Sequence, residues 1–400
     1  QASDFVGVNA LGSPYIPEIY DLIVELRQQG YRKPVLVGGE GVARLMKNDF
    51  RTLFPNEEVG DVRHVIDNGD LEEAFGLLLR RLPPKYEVSM RPMLERLPVW
   101  LQERYLTNEW CLFLSHGCAF GFAYCNAAKR ERERYRTFEG LRDEVGYIAK
   151  FLASRGHRNI WMYASNLDAL QNSESFESML RVAHEAARAH GVQLHVRALA
   201  TTKLTARAHE RDPKLLNRLR FLGLHTLAFG VDGVSETVWQ TQHKLHNSIT
   251  EYEISRDACQ AAGIKVEAFM VVGFPTETPT ESTGNILWSA RETYLKGVVI
   301  RPYLAKTNVP GGKIWAEDHA ERARLLANRE AFRDFDYAMF ASVATRPNTR
   351  ERFAANMAFG GLLAVLAPAG LSTWPLLPPS RSHLQQRVAR LVNRWMPPDR

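Results

Sequence analysis

The stretch Leu112-Phe-Leu-Ser-His-Gly-Cys-Ala-Phe-Gly-Phe-Ala-Tyr-Cys125 begins as an apolar run and continues into a glycine-containing loop with two cysteines. A short apolar run that ends at a turn signal is typical of a buried strand. In parallel sheets and barrels the active site lies at the carboxyl ends of the strands, where loops converge. Cys118 and Cys125 follow this strand directly, so we expect both to lie on that rim.

Five further apolar strand candidates follow, and helical patterns separate them. With residues 111–114, the candidates are 159–163, 193–196, 226–231, 265–272 and 298–303. Crossover helices between successive strands imply parallel pairing with right-handed connections. The pattern therefore predicts an α/β fold over residues 109–315, in the form of a partial (β/α)6 barrel.

A shorter α/β pattern fills residues 1–80. Apolar strands at 4–8 and 34–37 flank a helix opened by Pro17, which predicts an incomplete Rossmann-like half-domain. Gly38 and Gly39 end the second strand. Without a Cβ they either let a ligand approach the backbone or make a plain tight turn.

The remaining segments differ in composition. Residues 81–108 contain four prolines and are interpreted as a linker, and residues 316–400 as a mainly helical C-terminal subdomain. Within the latter, 358–377 is apolar but broken by proline and glycine, and 382–396 fits a basic amphipathic helix. We favour a packed subdomain. Peripheral membrane contact through this segment is the second alternative, and a membrane span is the least favoured.

Composition limits the class of protein. Apolar content of 45% and charged content of 24% are those of a soluble globular chain. The 4 cysteines do not form a secreted disulfide framework, so we expect a reducing, cytoplasmic location. The net charge is +6, but basic residues alternate with acidic ones, as in 129–134. This alternation indicates a solvated face rather than a nucleic-acid site.

The loop at Cys118 resembles the cluster-binding loop of the radical S-adenosylmethionine (SAM) superfamily, where three cysteines occur as C-x3-C-x2-C after the first barrel strand. Cys118 and Cys125 match the outer cysteines, and Tyr124 matches the aromatic residue before the last one. The middle position is Phe122. The resemblance implies that Cys118 and Cys125 are metal ligands of a 4Fe-4S cluster that binds SAM.

Further segments resemble the cobalamin-binding branch of that superfamily, in the right order along the chain. They are the arginine-rich turn and helix at 134–144, the fourth-strand motif at 229–235, the fifth strand and its turn at 263–277, and the closing turn at 310–315. The resemblance implies an adenine-sized cleft beside Tyr124, walled by Val231, Asp232 and Met270. Asp232 stands where the family has glutamate. Two roles remain open for it: contact with SAM or the substrate, and capping of the turn at Gly233.

The N-terminal unit resembles the cobalamin-binding domain of the same branch. Val35-Leu-Val-Gly-Gly39 matches its Gly-Gly strand, which implies that Gly38 and Gly39 contact cobalamin. The axial-histidine segment of the family has no counterpart in this sequence, although some members hold cobalamin without that histidine. The resemblance thus leaves cobalamin binding open.

The cluster motif departs from the family at Phe122, because a phenyl ring offers no lone pair to iron. Cys111 lies about 20 Å from Cys118 in an extended chain, so we expect it in the core. Cys259 is expected to pack in a helix. His116 is either a replacement ligand or an ordinary hydrogen-bonding residue. Ser165 and Asn166 fall where relatives commonly have acidic residues.

These observations favour a radical-SAM-like enzyme with an impaired iron–sulfur site, acting on a small-molecule substrate and served by an electron-donor protein. Cobalamin-assisted methyl transfer and ring formation are the reactions that the resemblance implies. The first alternative is a cluster-deficient relative that performs polar SAM chemistry or binds a partner without catalysis. An RNA-modifying enzyme is a second alternative, but the sequence has no β-rich RNA-binding module.

Overall fold

The computed structural model describes residues 5–10, 15–43, 45–65, 89–120, 134–165, 168–274, 277–305, 319–330, 332 and 349–366. Several positions singled out above lie outside these residues. They are Phe122, Tyr124, Cys125, Asn166, the turn at 310–315 and the segment 382–396, together with the side chains of His116 and Ser165.

The N-terminal unit is a parallel sheet of three strands in the order β1-β2-β3. The strands are β1 Val6–Asn9, β2 Val35–Gly38 and β3 Val62–His64, and the helices between them are α1 Ile16–Gln28, α2 Glu40–Ala43, α3 Lys47–Leu53 and α4 Asn56–Val59. Pro17 stands in the first turn of α1, where its missing N–H costs nothing. The predicted Rossmann-like start is confirmed, and β3 adds a strand that the sequence did not predict.

The second sheet has six strands, all parallel, in the order β11-β10-β9-β8-β7-β4. The strands are β4 Trp110–Phe113, β7 Asn159–Ser165, β8 Gln193–Ala200, β9 Leu224–Gly230, β10 Lys265–Val272 and β11 Val299–Leu304. A short antiparallel pair, β5 Ser115–His116 and β6 Arg134–Tyr135, lies beside this sheet. The prediction of six parallel strands that do not close into a barrel of eight is confirmed.

Helices cross over between the strands and cover the outer face of this sheet. They are α7 Phe138–Ser154, α8 Ser173–Arg188, α9 Thr202–Arg211, α10 Leu215–Phe221, α11 Glu236–Thr241, α12 Ile249–Ala261 and α13 Pro279–Lys296. Two shorter helices, α5 Arg91–Leu94 and α6 Val99–Leu106, precede the first strand in the predicted linker region. Leu94 and Leu106 are buried in the same core as the barrel strands.

Side-chain alternation along β8 shows which face of the sheet points to the helices. Leu194, Val196 and Ala198 are buried in the cluster that includes the helix residues Leu152 and Phe176. The intervening residues of β8 are only partly buried. Because successive side chains of a strand point to opposite faces, those intervening residues line the inside of the partial barrel, called the lumen below.

The described C-terminal residues divide between the two units. Helix α14 (His319–Ala327) packs on α3 of the N-terminal unit, and Leu325 and Phe332 are fully buried in the core of that unit. Helix α15 (Thr349–Leu366) packs on α13, where the Tyr294 hydroxyl donates to the Val365 carbonyl at 2.7 Å. None of the helices in the described part of the chain has the length and apolar character needed to cross a membrane.

Candidate functional site

The loop that carries Cys118 is fixed at both ends. Ser115 pairs with Tyr135 across the antiparallel β5–β6 pair. Next to it, the Arg136 N–H donates to the Leu114 carbonyl at 2.9 Å. The two ends of the loop therefore meet at the carboxyl end of β4, as the sequence predicted for the cluster motif.

A buried ion pair holds the returning end of the loop against α7. Arg136 Nη2 lies 2.6 Å from Glu144 Oε2, with side chains 1% and 2% exposed. The same carboxylate oxygen accepts the Met90 N–H at 3.2 Å. A pair this deep contributes more to the positioning of the loop than to net stability, since both charges lose their hydration.

Cys118 lies buried at the carboxyl end of the sheet, and its neighbours are attached to two other strand ends. The Ala119 N–H donates to Gln171 Oε1 at 3.1 Å, and the Phe120 ring stacks on His246 with centroids 4.7 Å apart. These contacts tie the start of the loop to the segments that follow β7 and β9. The rim position predicted for Cys118 is confirmed, and Cys125 lies outside the described residues.

The other two described cysteines differ from each other in environment. Cys259 is fully buried, and burial raises the pKa of its thiol to about 12, as expected for a packing residue. Cys111 is exposed, so the expectation of a core cysteine is wrong. On β4 it alternates with the buried Trp110 and Leu112 and therefore faces the lumen. In the described part of the chain no three histidine, cysteine, aspartate or glutamate side chains come together as a metal site.

Asp168 is a buried carboxylate just beyond β7, and it joins two strand ends. Its Oδ1 accepts the Leu170 N–H at 2.9 Å and its Oδ2 accepts the Thr201 N–H at 3.0 Å. Ser165 and Asn166 fall where relatives commonly have acidic residues, and Asp168 was not predicted as a site residue. The signal was available, since Asp168 is the first carboxylate after the strand.

Asp232 and Lys244 form a buried ion pair at the carboxyl end of β9. Their side chains are 7% and 4% exposed, and Lys244 Nζ donates both to Asp232 Oδ2 and to the Gly230 carbonyl. Asp232 takes a left-handed backbone conformation with φ of 52°. Aspartate tolerates that conformation better than most residues, at a cost of about 1–2 kcal/mol. The rim thus carries adjacent opposite charges at a strained position.

His246 packs beside this pair, under the Phe120 ring, with Lys203 also close by. Burial, followed by the charges of Lys244 and Lys203, lowers the pKa of His246 to about 4, and the Asp232 carboxylate offsets only part of this. The unfolded chain therefore binds more protons than the folded chain between about pH 6.5 and pH 4.

We expect the stability contributed by a neutral His246 to be complete above pH 6.5 and to be lost as the pH falls toward 4. The variant His246→Phe keeps the ring stack and removes the titration, so its free energy of unfolding should fall less steeply over that range. The pKa difference sets an upper limit of about 3 kcal/mol on this effect, and solvent screening of the partly exposed ring lowers it to about 1–3 kcal/mol. Urea unfolding at a series of pH values measures this. Equal slopes for the two proteins would contradict the assignment.

The other residues expected to wall the cleft face away from the lumen. Val231 and Met270 are buried in the core beneath the helices. On β10 the lumen positions are Glu267 and Phe269, which alternate with the buried residues of the strand. On this strand the residue that faces the lumen is therefore Phe269, and not Met270 as the sequence predicted.

Gly38 and Gly39 pack against protein atoms. A Cβ at Gly39, where φ is +95°, would lie 2.6 Å from the Ala10 carbonyl oxygen, and one at Gly38 would lie 3.1 Å from the Val65 carbonyl oxygen. The space that these glycines leave is filled by the ends of β1 and β3. This close packing accounts for both glycines without a ligand.

The lumen contains a chain of four charged side chains, which the sequence analysis missed. Arg197 binds Glu109 through two hydrogen bonds of 2.9 Å, and its Nη1 lies 3.6 Å from Glu267 Oε2. Arg301 Nη2 donates to Glu267 Oε1 at 2.9 Å. The interiors of closed (β/α)8 barrels are filled mainly with Val, Ile and Leu, so this network of paired charges sets the lumen apart from such an apolar interior.

Aromatic side chains surround this network. The Arg197 guanidinium lies 4.6 Å from the centre of the Tyr163 ring, and Phe269 meets Tyr303 edge to face with centroids 5.6 Å apart. Burial raises the pKa of Tyr163 to about 12, so this phenol stays neutral at physiological pH. The lumen therefore combines apolar walls with a charged floor.

Comparison with solved structures identifies the architecture. The radical SAM methyltransferase TsrM from Kitasatospora setae, solved with cobalamin and a 4Fe-4S cluster bound, superposes with a TM-score of 0.55 at 15% identity, covering 79% of this chain and 67% of TsrM. The cobalamin-dependent SAM radical enzyme OxsB, solved with aqua-cobalamin and SAM, gives 0.52 at 13% identity, covering 83% of this chain and 48% of OxsB. This chain has the radical SAM fold.

The radical SAM likeness reaches beyond the barrel, because it covers a larger share of the chain than residues 109–315 alone. It therefore takes in part of the flanking units. The chain spans about two thirds of TsrM and about half of OxsB. No protein-family model matches the sequence, and no curated protein matches it.

Proposed function

We propose that this chain binds SAM at the mouth of its partial barrel and transfers the methyl group to a small molecule held in the lumen. The observation that carries the proposal is the Asp232–Lys244 pair, set beside the Cys118 loop at the carboxyl ends of the strands. The amino-acid part of SAM is a zwitterion, and adjacent carboxylate and ammonium groups match its two charges. Tyr124, which the family resemblance places against adenine, belongs to the same proposal.

The two solved relatives support this choice of reaction. TsrM is a methyltransferase and was also solved with tryptophan and the SAM analogue aza-SAM, with a TM-score of 0.54 at 15% identity, covering 80% of this chain and 66% of TsrM. OxsB was solved with SAM. In a polar methyl transfer, a nucleophile of the substrate attacks the methyl carbon, the electron pair of the broken C–S bond stays on sulfur, and the nucleophile releases its proton.

The residues of this chain do not fit a standard 4Fe-4S site. Such a site takes three thiolates from its loop, whereas this loop supplies Cys118, Cys125 and the phenyl ring of Phe122. Gly38 and Gly39 are explained by close packing against the residues that follow β1 and β3, so within the described part of the chain they give no support to a cobalamin contact. We therefore propose an impaired iron–sulfur site. An electron-donor protein would serve only the radical form of the chemistry.

We expect SAM and S-adenosylhomocysteine to bind with dissociation constants of about 1–100 µM, in the usual range for enzyme substrates. Isothermal titration calorimetry on the purified chain measures this. S-adenosylhomocysteine has the same charged amino-acid part and adenine, so its affinity should be close to that of SAM. Adenosine, which lacks the amino-acid part, should bind at least about tenfold more weakly. Absence of binding heat from protein with intact circular dichroism would overturn the proposed function.

A further inference from the structure

Arg301 occupies the end of the charged network in the lumen. It projects from β11 and is joined to Glu267 on the neighbouring strand β10. Its side chain is 12% exposed, so it is mostly but not completely buried. This position faces the space where the proposed function requires a substrate.

Arg301 uses fewer of its N–H donors within the protein than Arg197 does. Arg197 places two N–H groups on Glu109 and a third nitrogen near Glu267. Within the described part of the chain, Arg301 makes one side-chain hydrogen bond, from Nη2 to Glu267. A guanidinium has five N–H donors in a planar fork, and that fork matches a carboxylate. Arg301 therefore retains donors for a ligand.

The walls next to Arg301 suit a flat apolar group. Tyr303 follows two residues later on the same face of β11, in edge-to-face contact with Phe269. Cys111 and Tyr163 are paired in register on the neighbouring strands β4 and β7, and both belong to the lumen face of the sheet. An aromatic ring stacked or edge-packed against such side chains gains about 0.5–1.5 kcal/mol beyond its buried area.

We propose that the lumen takes an aromatic carboxylic acid as substrate, with Arg301 binding its carboxylate. This inference rests on the proposed function for the identity of the lumen as the substrate cavity. Arg301 offers the charge and the fork, and Tyr163, Phe269 and Tyr303 supply the apolar walls. Glu267 holds Arg301 in place and competes with the ligand for the guanidinium.

Binding of a probe acid tests this without knowledge of the natural substrate. Indole-3-acetate is the probe, and indole-3-acetamide is its neutral counterpart of the same shape. Saturation-transfer NMR on the full chain measures both affinities, with SAM omitted. We expect the acid to bind about tenfold more tightly than the amide, as a charge-assisted hydrogen-bonded pair provides. Acetate or inorganic phosphate at the same concentration should displace the acid only weakly, because neither ion has a ring that contacts the aromatic side chains.

Four variants separate binding from folding. Arg301→Gln should abolish the preference for the acid, and Arg301→Lys should keep part of it, as a point charge without the fork. Arg291→Gln removes the same charge from an exposed pair on α13 and should change nothing. Glu267→Gln should tighten acid binding several-fold, because it releases Arg301. A purely structural role for Glu267 predicts the opposite sign.

Cys111 locates the bound probe. Its thiol is exposed in the lumen, so alkylation by neutral iodoacetamide, followed by peptide mass spectrometry, should slow when the acid is bound. Equal affinities for acid and amide, a preference that survives in folded Arg301→Gln, displacement by phosphate as effective as by the acid, or no binding up to about 10 mM would each overturn the inference. Loss of SAM binding with the acid preference intact would overturn only the proposed function.

Discussion

Replacement of Phe122 with cysteine should convert a chain that retains little iron into one that holds about four irons after anaerobic reconstitution. The substitution restores the C-x3-C-x2-C spacing with Cys118 and Cys125. Each thiolate neutralises charge on the cluster and fixes one iron, whereas a phenyl ring does neither. Iron analysis and the visible absorbance of the brown protein measure the change.

Two controls distinguish the possible outcomes for this loop. Phe122→Ser removes the ring without adding a thiolate and should stay iron-poor, and the double variant Cys118→Ala with Phe122→Cys should lose the iron that Phe122→Cys gains. If the unmodified chain holds about four irons, the ligand count is wrong, and His116 or Cys111 must supply the third bond. If no variant binds iron, the loop departs from the family beyond one residue, and polar SAM chemistry takes precedence.

Replacement of Lys244 with methionine should reduce the free energy of unfolding by about 3–5 kcal/mol, because it leaves the Asp232 carboxylate buried without its cation. The double variant Asp232→Asn with Lys244→Met removes both charges, and asparagine tolerates the left-handed backbone at this position. It should recover most of the stability. Urea denaturation of the single and double variants gives the coupling between the two residues.

The same variants test the proposed role of the pair in SAM binding. The stabilised double variant should bind SAM at least about tenfold more weakly than the natural chain, since neither charge of the amino-acid part finds its partner. Lys214→Met, a substitution of an exposed lysine, is the matched control and should affect neither measurement. Full SAM affinity in the folded double variant would confine the pair to a structural role.

The strands of the barrel could be predicted because burial on one face forces an apolar residue at every second position, and crossover helices restrict the topology. Strand β3 escaped prediction because its three residues, Val62-Arg-His64, contain one apolar side chain. Strand β10 was found, but its carboxyl half is apolar on both faces, from Phe269 to Val272. Alternation therefore could not decide whether Phe269 or Met270 faces the lumen.

The position of the cysteine loop could be predicted for the same reason, since loops at the carboxyl ends of parallel strands share one edge. The partners of the site residues could not. Lys244 reaches Asp232 by folding back from the end of α11, and Arg197 meets Glu109 across 88 residues of sequence. Such contacts depend on tertiary packing, which the local pattern does not encode.

The shared core of the N-terminal sheet and helix α14 has a consequence for synthesis on the ribosome. Arg322 binds Asp49 across 273 residues, and Phe332 packs into the same cluster as Phe50. At about 5–20 residues per second, the first unit waits roughly 15–55 s before the residues that complete its core are made. During that interval the apolar side of α3 is open to solvent, so this segment leaves the ribosome well before it reaches its native packing.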